Sequence, residues 1–317
     1  FVILVTRYMC IPLKSQSKLV LNHCRTNNIR THLPNQSFME RIVDGEIASI
    51  DETKHQVSLR LKKRDEPFGS GHFCGGSAIS HKTILTAAHC WVLTMPRLLS
   101  PHEVSVVTGS TKRNDRSPPT LIFDIREMDF HRKYSWSTIQ YDVGLLFLKG
   151  EIPVGHPTAQ PIPIASKPLQ EGRNCRVSGW GRISPTGDLP NDLLIITVRT
   201  LAPPTCRARY SNVIFASIRK GMFCAEGEDA CLGDSGGGLG CNDLLVGIVS
   251  WGEDCGKPGF PGIYTNVAYY LDWIQNCESA ENCNSGVVFQ KQHVHSYAVM
   301  LPLILTAFFM SNHRYYE

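Results

Sequence analysis

The chain has 317 residues, of which 42% are hydrophobic, 19% charged and 12 cysteine, the composition of a globular protein with ample material for a core. Its formal net charge of +4 is small and spread along the chain. No basic run interleaves with aromatics, so nucleic acid is not an expected partner.

Residues 1–41 are polar and irregular, with Cys10, Cys24 and a sequon at Asn35-Gln36-Ser37. Residues 1–5 are apolar but lack an initiating Met and a full hydrophobic region, so any signal peptide is truncated or missing. From Ile42 onward, short apolar runs alternate with turn clusters at 56–61, 76–79, 83–86, 104–108, 143–148, 175–180, 193–200, 244–251 and 262–267. Runs of this length, rich in Val, Ile, Leu and Thr and bounded by Gly, Pro, Asn or Asp, predict a many-stranded sandwich or barrel. Two barrels of similar strand content fit the roughly 235 residues between Ile42 and Asn276. One helix is predicted over 267–276, where Val267, Tyr270, Leu271 and Ile274 share a face and Asn266 is the N-cap. Residues 277–296 read as a polar linker. The apolar stretch 297–310 is short for a membrane span and is broken by Pro302. Asn284-Ser285-Gly286 ahead of it resembles a lipid-anchor signal, but the polar end 311–317 argues against one, so anchoring is not favoured.

The cysteines are even in number, widely spaced and free of C-x-x-C pairs. This pattern favours disulfides and secretion over a metal site.

The densest chemical signal is Asp229-Ala230-Cys231-Leu232-Gly233-Asp234-Ser235-Gly236-Gly237. A nucleophilic serine needs small neighbours, because backbone N–H groups must closely approach the oxyanion that its attack creates. On its own the string is equally a surface turn, since Gly, Asp and Ser are turn residues. A catalytic reading requires a base and an orienting acid elsewhere. Leu85-Thr86-Ala87-Ala88-His89-Cys90 offers a histidine held by a cysteine. Tyr141-Asp142-Val143-Gly144-Leu145-Leu146 offers an aspartate at the mouth of an apolar strand, where burial without a partner would be costly. A histidine N–H would satisfy that carboxylate, fix the tautomer and stabilise imidazolium while the imidazole takes the serine proton.

These three motifs, in the order His, Asp, Ser, resemble the chymotrypsin–trypsin family of serine endopeptidases over roughly residues 41–276. The resemblance implies an all-β fold of two six-stranded antiparallel barrels with a C-terminal helix, and an active site in the cleft between them. It implies His89 as general base, Asp142 as its orienting acid and Ser235 as nucleophile, with the N–H groups of Gly233 and Ser235 forming the oxyanion hole. Asp229 matches the base of the S1 pocket, so substrates should present Arg or Lys at P1. Gly252 and Gly262 match the pocket walls, and Ser250-Trp251-Gly252 resembles the segment that pairs with substrate as an added strand. Arg41-Ile42-Val43-Asp44-Gly45 resembles the zymogen cleavage site, with scission between Arg41 and Ile42 and the new α-amino group pairing with Asp234. The family has Gly where Asp44 stands, which alters local solvation while insertion of Ile42 is expected to survive.

By the same resemblance the bridges are Cys74–Cys90, Cys175–Cys241, Cys206–Cys224 and Cys231–Cys255, each contributing about 2–4 kcal/mol. Cys10, Cys24, Cys277 and Cys283 have no counterpart. Local pairs Cys10–Cys24 and Cys277–Cys283 and a bridge from pro-segment to catalytic domain are all allowed. Gly238 stands where the family usually has proline, at a local cost of about 1 kcal/mol. The loop after Gly109 lacks the acidic ligands of calcium-binding members, so no metal or other cofactor is expected. The expected organisation is a signal remnant or pro-segment over 1–41, a peptidase domain over 42–276, and a linker with apolar tail over 277–317. Expected partners are peptide substrates, an activating protease and protein inhibitors. The alternative is a protease-like binding or regulatory protein without turnover; such homologues usually lose a triad member, and this chain has all three.

Overall fold

The structure is a computed structural model and describes residues 45–92, 97–182, 187–213, 217–227, 235–252, 259–280 and 283. After the short strand β1 (Glu46–Ile47), six strands close a barrel: β2 (Gln56–Leu61), β3 (His72–Ala78), β4 (Thr83–Thr86), β5 (Val104–Thr108), β6 (Leu121–Phe130) and β7 (Gly144–Leu148). Their order around the barrel is β2-β3-β4-β7-β6-β5, and all neighbours are antiparallel. Closure leaves no sheet edge to solvate, so short runs of Val, Ile and Leu suffice. Val57, Leu59, Ile84, Val104, Val106 and Leu145 are all fully buried.

Strands β8 (Asn174–Gly179), β9 (Leu194–Thr200), β10 (Met222–Glu226), β11 (Gly238–Cys241), β12 (Leu244–Trp251) and β13 (Gly262–Asn266) form the second antiparallel barrel. It closes in the order β8-β9-β10-β13-β12-β11, and β1 adds to β9 with Glu46 opposite Ile195. The helix α1 (Pro203–Arg209) precedes β10, and its Cys206 is bonded to Cys224. Cys175 on β8 is bonded to Cys241 on β11, across one barrel seam.

The predicted C-terminal helix divides in two. Asn266 caps a 3-10 turn (Val267–Tyr270) through its side chain, which accepts from the Tyr269 N–H, and α2 (Leu271–Ser279) follows. Val267, Tyr270 and Ile274 are buried as the periodicity requires, while Leu271 is half-buried. The helix outruns its predicted end because Cys277 is itself buried and is bonded to Cys283. Cys10, Cys24 and the apolar tail lie outside the described residues, and no described helix is long and apolar enough to cross a membrane.

The barrels share a core. Leu245, Ile248, Val267 and Ile274 pack in one cluster with Val57, Leu85 and Trp91 of the first barrel. A buried hydrogen bond from Ser178 Oγ to Gln56 Oε1, 2.7 Å, crosses between them. At the rim, the buried Arg113 donates to the carbonyls of Gly69 (2.6 Å), Pro190 (2.9 Å) and Leu189 (3.0 Å). It thereby ties loops of the two barrels together.

Candidate active site

The chain leaves β4 through Ala87 and Ala88, both fully buried, into a 3-10 turn (Ala88–Trp91) that carries His89. The bridge between Cys90 and Cys74 on β3 fastens the turn. Asp142 lies at the entry to β7 and is 1% exposed. Its Oδ2 accepts from His89 Nδ1 at 2.8 Å and its Oδ1 from the His89 backbone N–H at 2.9 Å. Ser250 Oγ donates to Oδ2 at 2.5 Å, and Thr265 Oγ1 donates to the Asp142 carbonyl at 2.8 Å.

Three donors satisfy the oxygens of this buried carboxylate, and charge there acts on His89 with little screening. Burial disfavours protonation of His89, but the charge of Asp142 and its hydrogen bond outweigh burial and raise the imidazole pKa above its ordinary value of 6.5. The side chain of His89 keeps 18% exposure, enough for Nε2 to meet a reacting partner.

Ser235 is half-buried at the foot of β11. Its carbonyl accepts from Gly75 N–H of β3 at 2.9 Å and lies 3.5 Å from Cys90 Sγ. The next residue, Gly236, has φ +83° and donates its N–H to the Val249 carbonyl at 2.9 Å. A Cβ there would lie 2.3 Å from Thr86 Oγ1 and 2.7 Å from the Gly75 carbonyl. The glycine after the serine is thus required twice, by its left-handed backbone and by the opposite barrel pressing against it.

Ser250, expected only in the substrate-pairing segment, also supports Asp142. A register shift between Val249 and Trp251 leaves it without a partner residue on β13, and a bulge of this kind re-aims a side chain. Beyond Val249 the β11-facing edge of β12, at Ser250 and Trp251, has no strand partner among the described residues. Among the described residues a Cβ on Gly252 would meet only the Gly262 Cα, at 4.0 Å, whereas one on Gly262 would press the Tyr264 ring at 3.2 Å. Trp251 packs edge-on against Tyr210, with centroids 5.2 Å apart. Asp229, Cys231, Gly233, Asp234 and Cys255 lie outside the described residues, as do Arg41, Ile42 and Asp44.

Thr265 and Gly75 were not singled out from the sequence. Thr265 and Gly75 act across the barrel junction and leave no local pattern. Cys74, His89 and Cys90 bring their ligand atoms within 4.8 Å of one another, but the sulfurs are bonded together and offer no thiolate to a metal.

Residues 42–274 match the family model described as Trypsin. The chain belongs to the trypsin family. Among curated trypsins it is 36% identical to trypsin zeta of Drosophila melanogaster over 74% of this chain and 84% of the relative. It is 35% identical to trypsin zeta of Drosophila erecta, over 76% and 87% of the two chains. The trypsin Blo t 3 of Blomia tropicalis is also 35% identical, over 74% and 85%. Among solved structures, neuropsin, a serine protease expressed in the limbic system of mouse brain, superposes with a TM-score of 0.63 at 30% identity, over 74% of this chain and 99% of that one. The two closed six-stranded barrels and the short C-terminal helix are this family's architecture. As a trypsin-family member the chain is a serine endopeptidase, a hydrolase acting on protein and peptide substrates.

Proposed function

We propose that the chain is a secreted zymogen, that cleavage between Arg41 and Ile42 activates it, and that the mature enzyme cuts peptide bonds after Arg or Lys. Ser235 Oγ attacks the scissile carbonyl while His89 Nε2 takes its proton, and the resulting imidazolium is held by Asp142. The N–H groups of Gly233 and Ser235 receive the oxyanion. His89 then protonates the leaving amine, and water releases the acyl group by the same steps in reverse. The observation that carries this reading is the buried Asp142 carboxylate, with donors from His89 and Ser250.

Specificity rests on Asp229, whose carboxylate would pair with a P1 cation in a slot kept open by Gly252 and Gly262. The edge at Ser250 and Trp251, which has no strand partner among the described residues, suits an added substrate strand. The α-amino group of Ile42 would pair with Asp234 after cleavage, which couples activation to the oxyanion hole. Residues 1–41 then form the pro-segment and 42–276 the peptidase domain. Even cysteine usage and four described bridges support an oxidising destination.

The test is cleavage at Arg41 followed by labelling with an arginine-mimicking organophosphonate. Stoichiometric label on Ser235 supports the reading, and correctly cleaved protein that stays unlabelled overturns it in favour of a protease-like binding protein. In the Asp229→Ser variant, arginyl substrates should lose their preference; unchanged cleavage of them would sink the S1 assignment.

A further inference from the structure

The residue before Asp142 is strained. Tyr141 has φ +58°, in the left-handed region that side chains other than glycine and asparagine seldom adopt. Asp142 itself sits at the centre of a three-residue turn, because the Val143 N–H donates to the Tyr141 carbonyl at 2.8 Å. Two contacts from one residue close this turn on both sides. His131, just after β6, donates its backbone N–H to the Val143 carbonyl at 3.0 Å. Its ring stacks on the Tyr141 ring, with centroids 4.7 Å apart and planes 15° from parallel.

His131 is in turn fixed by Tyr270 (5.7 Å) and by Trp273 of α2 (5.3 Å), while Tyr270 also meets the Tyr141 ring edge-on at 6.0 Å. Lys133 Nζ lies 5.7 Å from the Tyr141 centroid. The residues flanking Asp142 are therefore gripped by a single histidine, which is braced by the C-terminal helix.

We propose that Tyr141 is a positioning residue: its ring, clamped by His131 and Tyr270, holds the strained turn that aims the Asp142 carboxylate at His89. This rests on the assignment of Asp142 and His89 to the catalytic machinery, through which Tyr141 and His131 act. Without the clamp the turn relaxes, the carboxylate shifts, and the interactions that raise the pKa of His89 weaken.

The acid limb of kcat/KM reports this directly, because His131, Tyr134 and Tyr270 are all shifted away from the working range. Burial, reinforced by Lys133 and Arg132, pushes His131 down to about 4. Burial, reinforced by neighbouring groups that include Asp142, pushes the phenols of Tyr134 and Tyr270 up.

The experiment compares Tyr141→Ala, Tyr141→Gly and Tyr141→Phe in the activated enzyme. Tyr141→Phe keeps the stack and should retain wild-type kcat. Tyr141→Ala and Tyr141→Gly should lose on the order of ten- to a hundredfold in kcat with KM little changed, and their acid limb should move to lower pH. Glycine suits the left-handed backbone, so Tyr141→Gly carries the test even if the alanine variant does not fold. Wild-type kcat and an unmoved acid limb in Tyr141→Gly would overturn the proposal, showing that the ring has no positioning role. Histidine titration by NMR in a Ser235→Ala background gives a readout independent of turnover. There, a His89 pKa lowered by Tyr141→Gly supports the inference and an unchanged one refutes it. Failure of the wild type to take the phosphonate label, by contrast, refutes the triad assignment itself.

Discussion

Gly236→Ala perturbs the point where the two barrels press on the candidate nucleophile. The backbone at this position has φ +83°, and forcing an alanine into a left-handed conformation costs roughly 1–2 kcal/mol. The new Cβ would lie 2.7 Å from the Gly75 carbonyl, 2.3 Å from Thr86 Oγ1 and 3.1 Å from Cys90 Sγ. None of these yields easily. Gly75 is strand backbone, Cys90 is bridged, and Thr86 Oγ1 is engaged by the same Gly75 carbonyl at 2.8 Å. Overpacking of this kind adds roughly 1–3 kcal/mol, for a total near 2–5 kcal/mol. The assay is urea unfolding with disulfides intact, where the midpoint should fall while the slope stays constant. Because relief of the clash displaces Ser235, kcat/KM should also fall, on the order of a hundredfold. Gly238→Ala is the control: its blocking atoms are Ser77 Oγ and Leu245 Cδ1, side-chain ends that can rotate, and its φ is not left-handed. A Gly236→Ala loss below about 1 kcal/mol, or one no larger than that of Gly238→Ala, would refute the argument from left-handed strain and close approach.

Asp142→Asn should leave burial acting alone on His89 and drop its pKa below 6.5. An NMR titration checks this, while kcat falls by about 10²–10⁴-fold; an unchanged imidazole pKa would contradict the cause assigned to the shift. Because the folded-state pKa of His89 is raised, its pairing stabilises the fold fully below 6.5 and loses that effect as pH rises through the folded value. The stability gap between wild type and Asp142→Asn should therefore be wider at about pH 5.5 than at about pH 9. A gap that does not change would remove the ion pair from the stability account. Removing Cys175–Cys241, which spans 66 residues, should cost more than removing Cys206–Cys224, which spans 18: about 4 against about 3 kcal/mol on chain-entropy grounds. The reverse ranking in denaturant midpoints would show that native-state effects dominate.

The strands legible in the sequence are those buried on both faces. Runs 56–61, 83–86, 104–108 and 244–251 coincide with β2, β4, β5 and β12, where Val, Ile and Leu recur often enough to mark the strand although polar residues such as Ser58, Arg60 and Thr86 are buried among them. The ten residues of β6 escaped notice because Asp124, Arg126, Glu127 and Asp129 interrupt them on a strand that is mostly half-buried. The four of β11 did so because two are glycines packed against the other barrel and its neighbours. At the candidate site, His89, Asp142 and Ser235 each stand in a local motif and were found. Ser250 as a donor to Asp142 was not, since a bulge turns it there and the sequence of β12 carries no mark of one. Tyr141 was quoted only as a neighbour, because its strain belongs to the backbone and its clamp to a histidine ten positions earlier and a helix beyond β13.

At the rim of the molecule, three carbonyls from two loops converge on the guanidinium of Arg113. A dissolved ion in that role would arrive and leave by mass action, and the junction would be only as firm as the surrounding fluid allowed. A permanently charged group on a covalent stem has no dissociation constant. Dilution cannot remove it and a chelator cannot compete for it, so its local concentration is set by bond lengths alone. The tie between these loops is accordingly inherited with the chain and is not drawn from the medium the protease meets.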